Sequence, residues 1–376
     1  MPEVKVGSFT YDRPCGWCTP SKYVVKTTIA TASPAPNANR LDVLTFQDLG
    51  YTTVGLRGKF TPGDAVYFVP GETLIPNELA DRVGIRKLLA NSRVKTLTLR
   101  GNRSEGLTIA PEVIEPFLTG LLKWEDPAQY TTSPAKRSIW AWRYTRLCDW
   151  LRPDRPSPEF CKFYDMPNLL NHPETFHQGE MVAISEKIHG MNMRSAVLHR
   201  EWKWWAKPIS PFLNPYAVYI GSHNVAFPRS SKNPWMTVYR KYLCTEDGKA
   251  NIPTDTVFFE EVYGTSYGKP IQHLTYGLDV VAIRVFAAFN VKTHRYMLPQ
   301  DMQQLCEDRG LPCVAFQKMP FEGIAQMRDL AEAPSTMTDT HHREGIVICS
   351  MERPGVFAKL ISFKYLENNA RREGKE

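Results

Sequence analysis

Apolar positions along this chain fall into short runs rather than long helical stripes. In the first third they are Tyr23 to Ile29, Leu41 to Gln47, Tyr51 to Leu56, Ala65 to Val69 and Val94 to Leu99. β-Branched and aromatic residues dominate them. Turn sequences such as Ser33-Pro34-Ala35-Pro36-Asn37 and Thr61-Pro62-Gly63-Asp64 separate them. Short strands with a turn every ~8–12 residues predict a small barrel or sandwich. One helix is expected, over Asn77 to Ala90.

The second half carries longer signals. Met181 to Ile184 reads as a strand running into a glycine turn. Arg194 to His199 and Trp202 to Lys207 predict a hairpin around Arg200-Glu201, and Tyr216 to Ile220 a further strand. Val257 to Gly264 reads as a buried strand with carboxylates at its end, and Val280 to Val291 as a long apolar strand. Helices are expected over Asp301 to Arg309, stopped by Gly310, and over Phe321 to Ala331. Strands at Arg343 to Ile348 and Phe357 to Ser362 complete the pattern, with a polar tail after them.

Between the halves the composition changes. Residues 126–158 are proline-rich and hold Trp140, Trp142, Arg143, Arg146, Trp150 and Arg152. Aromatics among arginines suit base stacking or packing between domains, and the second reading is preferred. The expected organisation is a module over 1–125, a linker over 126–158 and a second domain over 159–376.

Charge narrows the partners. The net charge is +7 and the sequence pI about 8.9, which favours a polyanion. Arg82, Arg86, Lys87, Arg93, Lys95, Arg100 and Arg103 cluster late in the first module. They form either a solvated face or a surface that tracks phosphates. No secretory h-region follows Met1, and the longest apolar run contains Arg284 and is too short to span a bilayer. A soluble, intracellular, cytoplasmic monomer with no membrane partner is expected. The eight cysteines show no framework, and Cys15 and Cys18 lack a second pair at zinc-site spacing; reduced thiols are expected there.

The candidate chemistry centres on Ser185-Glu186-Lys187-Ile188-His189-Gly190-Met191-Asn192. A lysine between a strand and a glycine turn is held on rigid backbone, and glycine can take a positive φ or admit a phosphate close to the main chain. A nucleophilic lysine must be deprotonated, so it needs neighbours that lower its pKa. Alone, the pattern also describes a surface turn. Glu261 and Glu344 alone would be strand-end carboxylates, Phe289 core, and Lys359 a solvated lysine. Their order is what carries information, since a lysine embedded in an apolar strand is costly unless it meets an anion.

That order resembles the covalent nucleotidyltransferase superfamily of polynucleotide ligases and capping enzymes, and within it ATP-dependent RNA ligases. Lys187-Ile188-His189-Gly190 resembles the nucleophile motif, with the histidine that RNA ligases often carry. Gly221-Ser222-His223-Asn224 resembles the next segment and Glu261-Val262-Tyr263-Gly264 the third motif. Val285 to Val291 resembles the aromatic strand, Glu344-Gly345-Ile346-Val347-Ile348 the fourth motif and Lys359-Leu360-Ile361 the fifth. The likeness spans about Tyr164 to Leu366. Thr61 to Phe68 and Leu99 to Leu107 resemble the OB module that precedes the transferase domain in one RNA ligase group. Glu260, Asn290, Met191 and Ile361 depart from the family pattern, and Lys364 is a candidate to replace the lysine expected at Ile361.

The resemblance implies an α+β protein, an OB-like β-barrel followed by an adenylation domain of antiparallel sheets with flanking helices. It implies ATP and a divalent metal, Mg²⁺ or Mn²⁺, as cofactors, RNA as partner, and RNA strand joining through a lysyl-AMP intermediate in RNA repair. Lys187 would be the nucleophile and Lys359 would stabilise the α-phosphate. Phe289 would stack on adenine, Glu261 hold the ribose, and Glu186 border the adenine pocket. Glu344 would organise the metal, and His189 would lie near the phosphates. Asn192 and Arg194 would line the path of the 5′-phosphate. A capping-type guanylyltransferase and a non-catalytic RNA-binding protein are the alternatives.

Overall fold

A computed structural model describes residues 24–122 and 154–373, apart from 72, 87–88, 90–92, 156, 228–232 and 340. The Cys15–Cys18 pair, Lys87 and the tryptophan- and arginine-rich stretch as far as Arg152 lie outside the described residues. The chain divides into two compact units, one holding most of residues 24–122 and the other most of residues 154–369.

The first unit contains β1 (Val25–Pro34), β2 (Leu41–Phe46), β3 (Thr52–Leu56), β4 (Ala65–Pro70), α1 (Asn77–Val83), β5 (Leu97–Leu99), β6 (Asn102–Ser104), β7 (Gly106–Ile109) and α2 (Pro111–Leu118). Its main sheet is antiparallel, in the order β3-β2-β1-β4-β7. β1 serves both halves: Thr31–Pro34 pair with β2, and Val25–Thr28 with β4. The free edge of β3 then folds back toward β7. Glu105 N–H donates to the Thr52 carbonyl at 2.9 Å, Thr52 N–H donates to Glu105 Oε2 at 2.9 Å, and the Thr53 and Thr108 hydroxyls meet at 2.8 Å. The edge is thereby satisfied and the sheet is nearly a closed barrel, as the OB-like expectation required. Phe46 and Tyr51 pack on Phe68 inside it. α1 ends at Val83 rather than Ala90 because Gly84 turns left-handed at φ 78° and donates back to the Asp81 carbonyl.

The second unit contains β8 (Asp154–Arg155), β9 (Met181–Glu186), β10 (Met191–His199), β11 (Glu201–Trp202), β12 (Tyr216–Gly221), β13 (Ala226–Phe227), α3 (Pro234–Tyr242), β14 (Thr256–Ser266) and β15 (Lys269–Pro270). It continues with β16 (Val281–Asn290), β17 (Arg295–Tyr296), α4 (Pro299–Asp308), β18 (Phe316–Pro320), α5 (Ile324–Ala331), β19 (Gly345–Ser350), β20 (Phe357–Ile361) and α6 (Phe363–Glu373). A seven-stranded antiparallel sheet runs β13-β12-β10-β14-β16-β17, with β15 beside β14, and a four-stranded one runs β18-β9-β19-β20.

The two sheets share a core. Ala196, Val257, Phe259 and Ala287 from the large sheet meet Ala183, Cys349 and Phe357 from the small one. The outer face of the large sheet, with Met193, Phe258, Val262, Ile283 and Val285, packs on Met236 and Tyr239 of α3 and Met302 of α4. β14 is covered on both faces, which is why its sequence shows an unbroken apolar run instead of alternation.

Two expectations need correction. Beyond β11 the chain does not continue as a strand to Lys207. The Lys203 carbonyl accepts N–H groups from Ala206 and Lys207, and residues Lys207–Phe212 form a 3₁₀ turn containing Pro208 and Pro211, which cannot donate to a ladder. The segment after Ser362 is helix α6, not a tail. The Glu332 carboxylate accepts N–H groups from Phe363 at 2.6 Å and Lys364 at 3.3 Å, satisfying donors at the helix start from a residue distant in sequence.

Candidate active site

Lys187 follows the last residue of β9, and its N–H donates to the Gly345 carbonyl at 2.9 Å, so it remains tied to the small sheet. Alternation puts Ala183, Ser185 and Lys187 on the inner face, toward the large sheet. Ser185 lies opposite Val347, and Val347 opposite Lys359, so the side chains of that row share the inner face. The two lysines of the family pattern therefore project into one cleft. Lys359 is anchored by its backbone, whose N–H donates to Pro167 and whose carbonyl accepts from Leu169, both at 2.9 Å.

Gly190 is not left-handed. A Cβ there would stand 2.4 Å from the Val262 carbonyl oxygen and 3.0 Å from Glu261 Cγ. Glycine is needed because the backbone of β14 passes directly against the turn.

The lysine amine has a partner. Lys187 Nζ donates to Glu344 Oε1 at 2.7 Å, while Glu344 Oε2 lies 3.1 Å from His189 Nδ1. Burial works to raise the Glu344 pKa, but the His189 hydrogen bond and the Lys187 charge hold it below the ordinary carboxylate value. His189 is fixed from every side. Its backbone N–H donates to Tyr276 Oη at 2.7 Å, its ring Nε2 lies 3.0 Å from His273 Nδ1, and Tyr365 Oη lies 3.2 Å from its Nδ1. The His273 and Tyr365 rings are nearly parallel, at 18°.

Across the cleft, Asn192 of β10 pairs with Glu261 of β14 and Glu261 with Arg284 of β16. Burial pushes the Glu261 carboxyl up to about 8; the Lys187 charge opposes this and the Glu344 charge adds to it. Asn192 Oδ1 is buried without a hydrogen-bond partner. Such a group is costly unless something completes it. The adjacent Glu260 points the other way, into the outer core. It accepts from Ser195 Oγ through Oε1, its Oε2 has no partner, and burial raises its pKa to about 8.

Other expected residues sit differently. Glu186 lies on the opposite face of β9 from Lys187 and is fully engaged, accepting Ser335 Oγ at 2.7 Å, Thr336 N–H at 2.6 Å and Thr336 Oγ1 at 2.8 Å. It anchors the segment before Glu344. Arg194 is 4% exposed, donates to the carbonyls of Ser222, Phe160 and Cys161, and stacks 4.2 Å over Phe160. It braces the Gly221–Asn224 segment. Phe289 packs edge-on against Tyr296 at 5.1 Å in the shared core. It is five β16 residues beyond Arg284, about 16 Å along a strand. Phe286, closer to Glu261, lines a small cavity together with Ser185, Phe316 and Phe357. His273, Tyr276 and Tyr365 also belong to the site region, and none of them carries a periodic or motif signal in its own segment; Phe286 lies in the aromatic strand Val285 to Val291, where the motif alone points to Phe289.

The site thus combines a lysine, an acidic partner bound to it, a second acid facing them and a second lysine on the same face. Residues 180–366, which contain all of these, match a family model described as RNA ligase. No curated protein matches the chain by sequence. Among solved structures, a Naegleria gruberi RNA ligase with PPi aligns at a TM-score of 0.67 and 18% identity, over 93% of this chain and 99% of that chain. A variant of the same ligase with ATP and Mn aligns at 0.66 and 17%, over 92% and 99%. At such identities the likeness concerns the fold, and it supports the α+β architecture. By the family match across the unit that carries Lys187, that unit belongs to the RNA ligase family.

Proposed function

We propose that this protein is an ATP-dependent RNA ligase that joins a 3′-OH to a 5′-phosphate through a lysyl-AMP intermediate and seals breaks in RNA. The observation that carries the reading is the 2.7 Å contact of Lys187 with Glu344 inside the family match, with Glu261 facing it. Solved relatives are described with ATP and Mn, with AMP and Mn, and with PPi.

In the first step Lys187 Nζ, having given up its proton, forms a P–N bond to the α-phosphorus of ATP as the bond to the β-phosphate oxygen breaks and pyrophosphate leaves. In the second, a 5′-phosphate oxygen of RNA attacks that phosphorus, releasing Lys187 and leaving AMP on the RNA end through a new phosphoanhydride. In the third, the 3′-OH attacks the activated 5′-phosphate, a phosphodiester forms and AMP leaves. Lys359, on the same inner face as Lys187, supplies positive charge for the α-phosphate oxygens. Glu344 holds the ammonium in place before reaction. Glu261, carrying a proton near neutral pH, can both donate to and accept from a ribose hydroxyl.

The donor set suits a hard divalent ion that arrives with the nucleotide. Among the described residues no group of three His, Cys, Asp or Glu forms a cage. Mg²⁺ and its kind are commonly held by one or two carboxylates with water and substrate phosphates, and Glu344 provides such a carboxylate. When bound, the ion would neutralise charge on the phosphates.

The barrel unit is read as an RNA-holding module, with the Arg100 and Arg103 hairpin as its basic edge. Arg82 and Arg86 are already paired, with Glu78 at 2.8 Å and Asp81 at 2.5 Å. Among the described residues no helix is long and apolar enough to cross a membrane.

The test is to incubate the protein with α-labelled ATP or GTP and a divalent metal and to follow label onto the chain. Label from ATP on wild type, absent from Lys187→Ala, is expected. Label only from GTP would instead indicate a capping-type enzyme, and no label from either a non-catalytic protein. Nicked duplexes of RNA, DNA and mixed strands then establish which ends are joined.

A further inference from the structure

β10, nine residues long, starts beside the Lys187 turn and ends at His199. At about 3.3 Å per residue its far end stands on the order of 26 Å away along the strand. There the chain leaves the sheet and exposes a dense set of large apolar side chains. Trp204 is 77% and Phe212 88% exposed, with Trp205 and Leu213 at 37% each. Single exposed apolar residues need no explanation, but four large ones on one short segment, Trp204 to Leu213, do.

This loop is built to hold those rings outward. Glu201 and Trp202 pair with Asp154 and Arg155. Ala206 is fully buried and its N–H donates to the Lys203 carbonyl at 2.9 Å, while Ser210 Oγ donates to the Lys207 carbonyl at 2.8 Å. The rings therefore project from an ordered turn, at little entropic cost to a ligand. The accompanying charge is positive: residues 199–216 contain Arg200, Lys203 and Lys207 against the single acid Glu201. Arg200 is braced by the Tyr216 carbonyl at 3.1 Å and lies 5.5 Å over the Trp202 ring.

Exposed aromatic faces beside cations match unpaired bases on a phosphate backbone, where the rings stack and the lysines follow the phosphates. A purely apolar partner would gain nothing from the lysines. We propose that Trp204 and Phe212, flanked by Lys203 and Lys207, form a docking site for a single-stranded portion of the RNA substrate, at a distance from the ends being joined. At about 3.4 Å per nucleotide of a stacked strand, the separation from Lys187 corresponds to on the order of eight nucleotides. The inference rests on the RNA-ligase reading of the same unit.

The experiment compares the full chain with its Trp204→Ala/Phe212→Ala variant, using fluorescent RNAs whose junction carries a single-stranded arm of about 4 or about 16 nucleotides, below and above that reach. Vesicles of anionic phospholipid serve as a second probe. Loss of two stacking rings should weaken the long-armed RNA by at least about tenfold. The short-armed RNA and the labelling of Lys187 by ATP should be unchanged. Wild-type affinity of the variant for the long arm, or an equal loss on both arms, overturns the proposal. So does vesicle binding that the variant loses while its RNA affinity is intact. Failure of wild type to take label from ATP would count against the ligase reading instead, and is read separately.

Discussion

Lys187 Nζ and Glu344 Oε1 stand 2.7 Å apart although 157 residues separate them in the chain. The pair brings the first and fourth motif segments together, and it fixes the ammonium of the proposed nucleophile before any nucleotide arrives. Removing the carboxylate should leave the lysine present but misdirected. Glu344→Gln is expected to slow labelling by ATP at least about a hundredfold, the scale for losing one oriented electrostatic group. Single-turnover labelling with saturating ATP is the measurement, and a loss below about threefold would remove Glu344 from the chemistry.

His273 should matter without touching the reacting atoms. It lies 3.0 Å from His189 Nε2 on an exposed loop, so its loss frees one side of a ring that Glu344 and Tyr365 hold at Nδ1. His273→Ala is expected to slow the release of pyrophosphate by about ten- to a hundredfold, the cost of imperfect positioning, with His189→Ala worse. Pyrophosphate release measured beside thermal unfolding separates this from a loss of fold.

Glu260 makes a prediction about stability. Its carboxyl is raised by burial to about 8 from an ordinary 4.5, so the folded chain holds that proton more tightly than the unfolded chain does. The associated stability is complete below about pH 4.5 and is lost as pH rises toward 8, by at most about 1.4 kcal/mol per pH unit. Glu260→Gln keeps the shape and does not titrate. Urea unfolding at pH 5.5 and pH 8 should show a shallower decline in the variant, with part of the slope retained through Glu261, which is raised in the same direction.

The two aromatic residues of β16 should separate by phenotype. Phe286 lines the cavity with Ser185, so Phe286→Ala is expected to raise the KM for ATP by about tenfold, the loss of one base–aromatic contact. Phe289 packs on Tyr296, so Phe289→Ala is expected to cost about 3 kcal/mol of stability with a smaller change in KM. The reverse pattern, from kinetics and urea unfolding on both variants, would return the adenine platform to Phe289.

Much of this arrangement was readable from sequence. The barrel strands appeared as separate apolar runs, because turn residues punctuate them. Lys187, Glu261, Glu344 and Lys359 were readable as an ordered set. What sequence could not show was facing. Glu186 and Lys187 are neighbours that point to opposite sides of β9, and Glu260 and Glu261 divide β14 in the same way. β14 is buried on both faces, so no polar alternation marks which acid looks into the cleft. α6 was hidden because its start depends on Glu332, and with it Tyr365 was lost from the expected site.

The pairing of β14 with β16 slips by one between Phe259 and Glu260, leaving Phe286 without an opposite residue. Before the slip Ile283 and Val285 belong to the outer core; after it Ala287 belongs to the shared one. The extra residue acts as a phase switch within a single strand, letting Arg284 and Phe289 look the same way although an odd number of positions separates them. Were the ladder to run on without the slip, Phe286 would pair with Phe259 and Ala287 with Phe258, carrying Ala287 and Phe289 out of the core between the sheets, whereas deleting Phe286 would leave the pairing of both halves as it is. The face that β16 turns toward the cleft is thus set by a count of residues as much as by their identity.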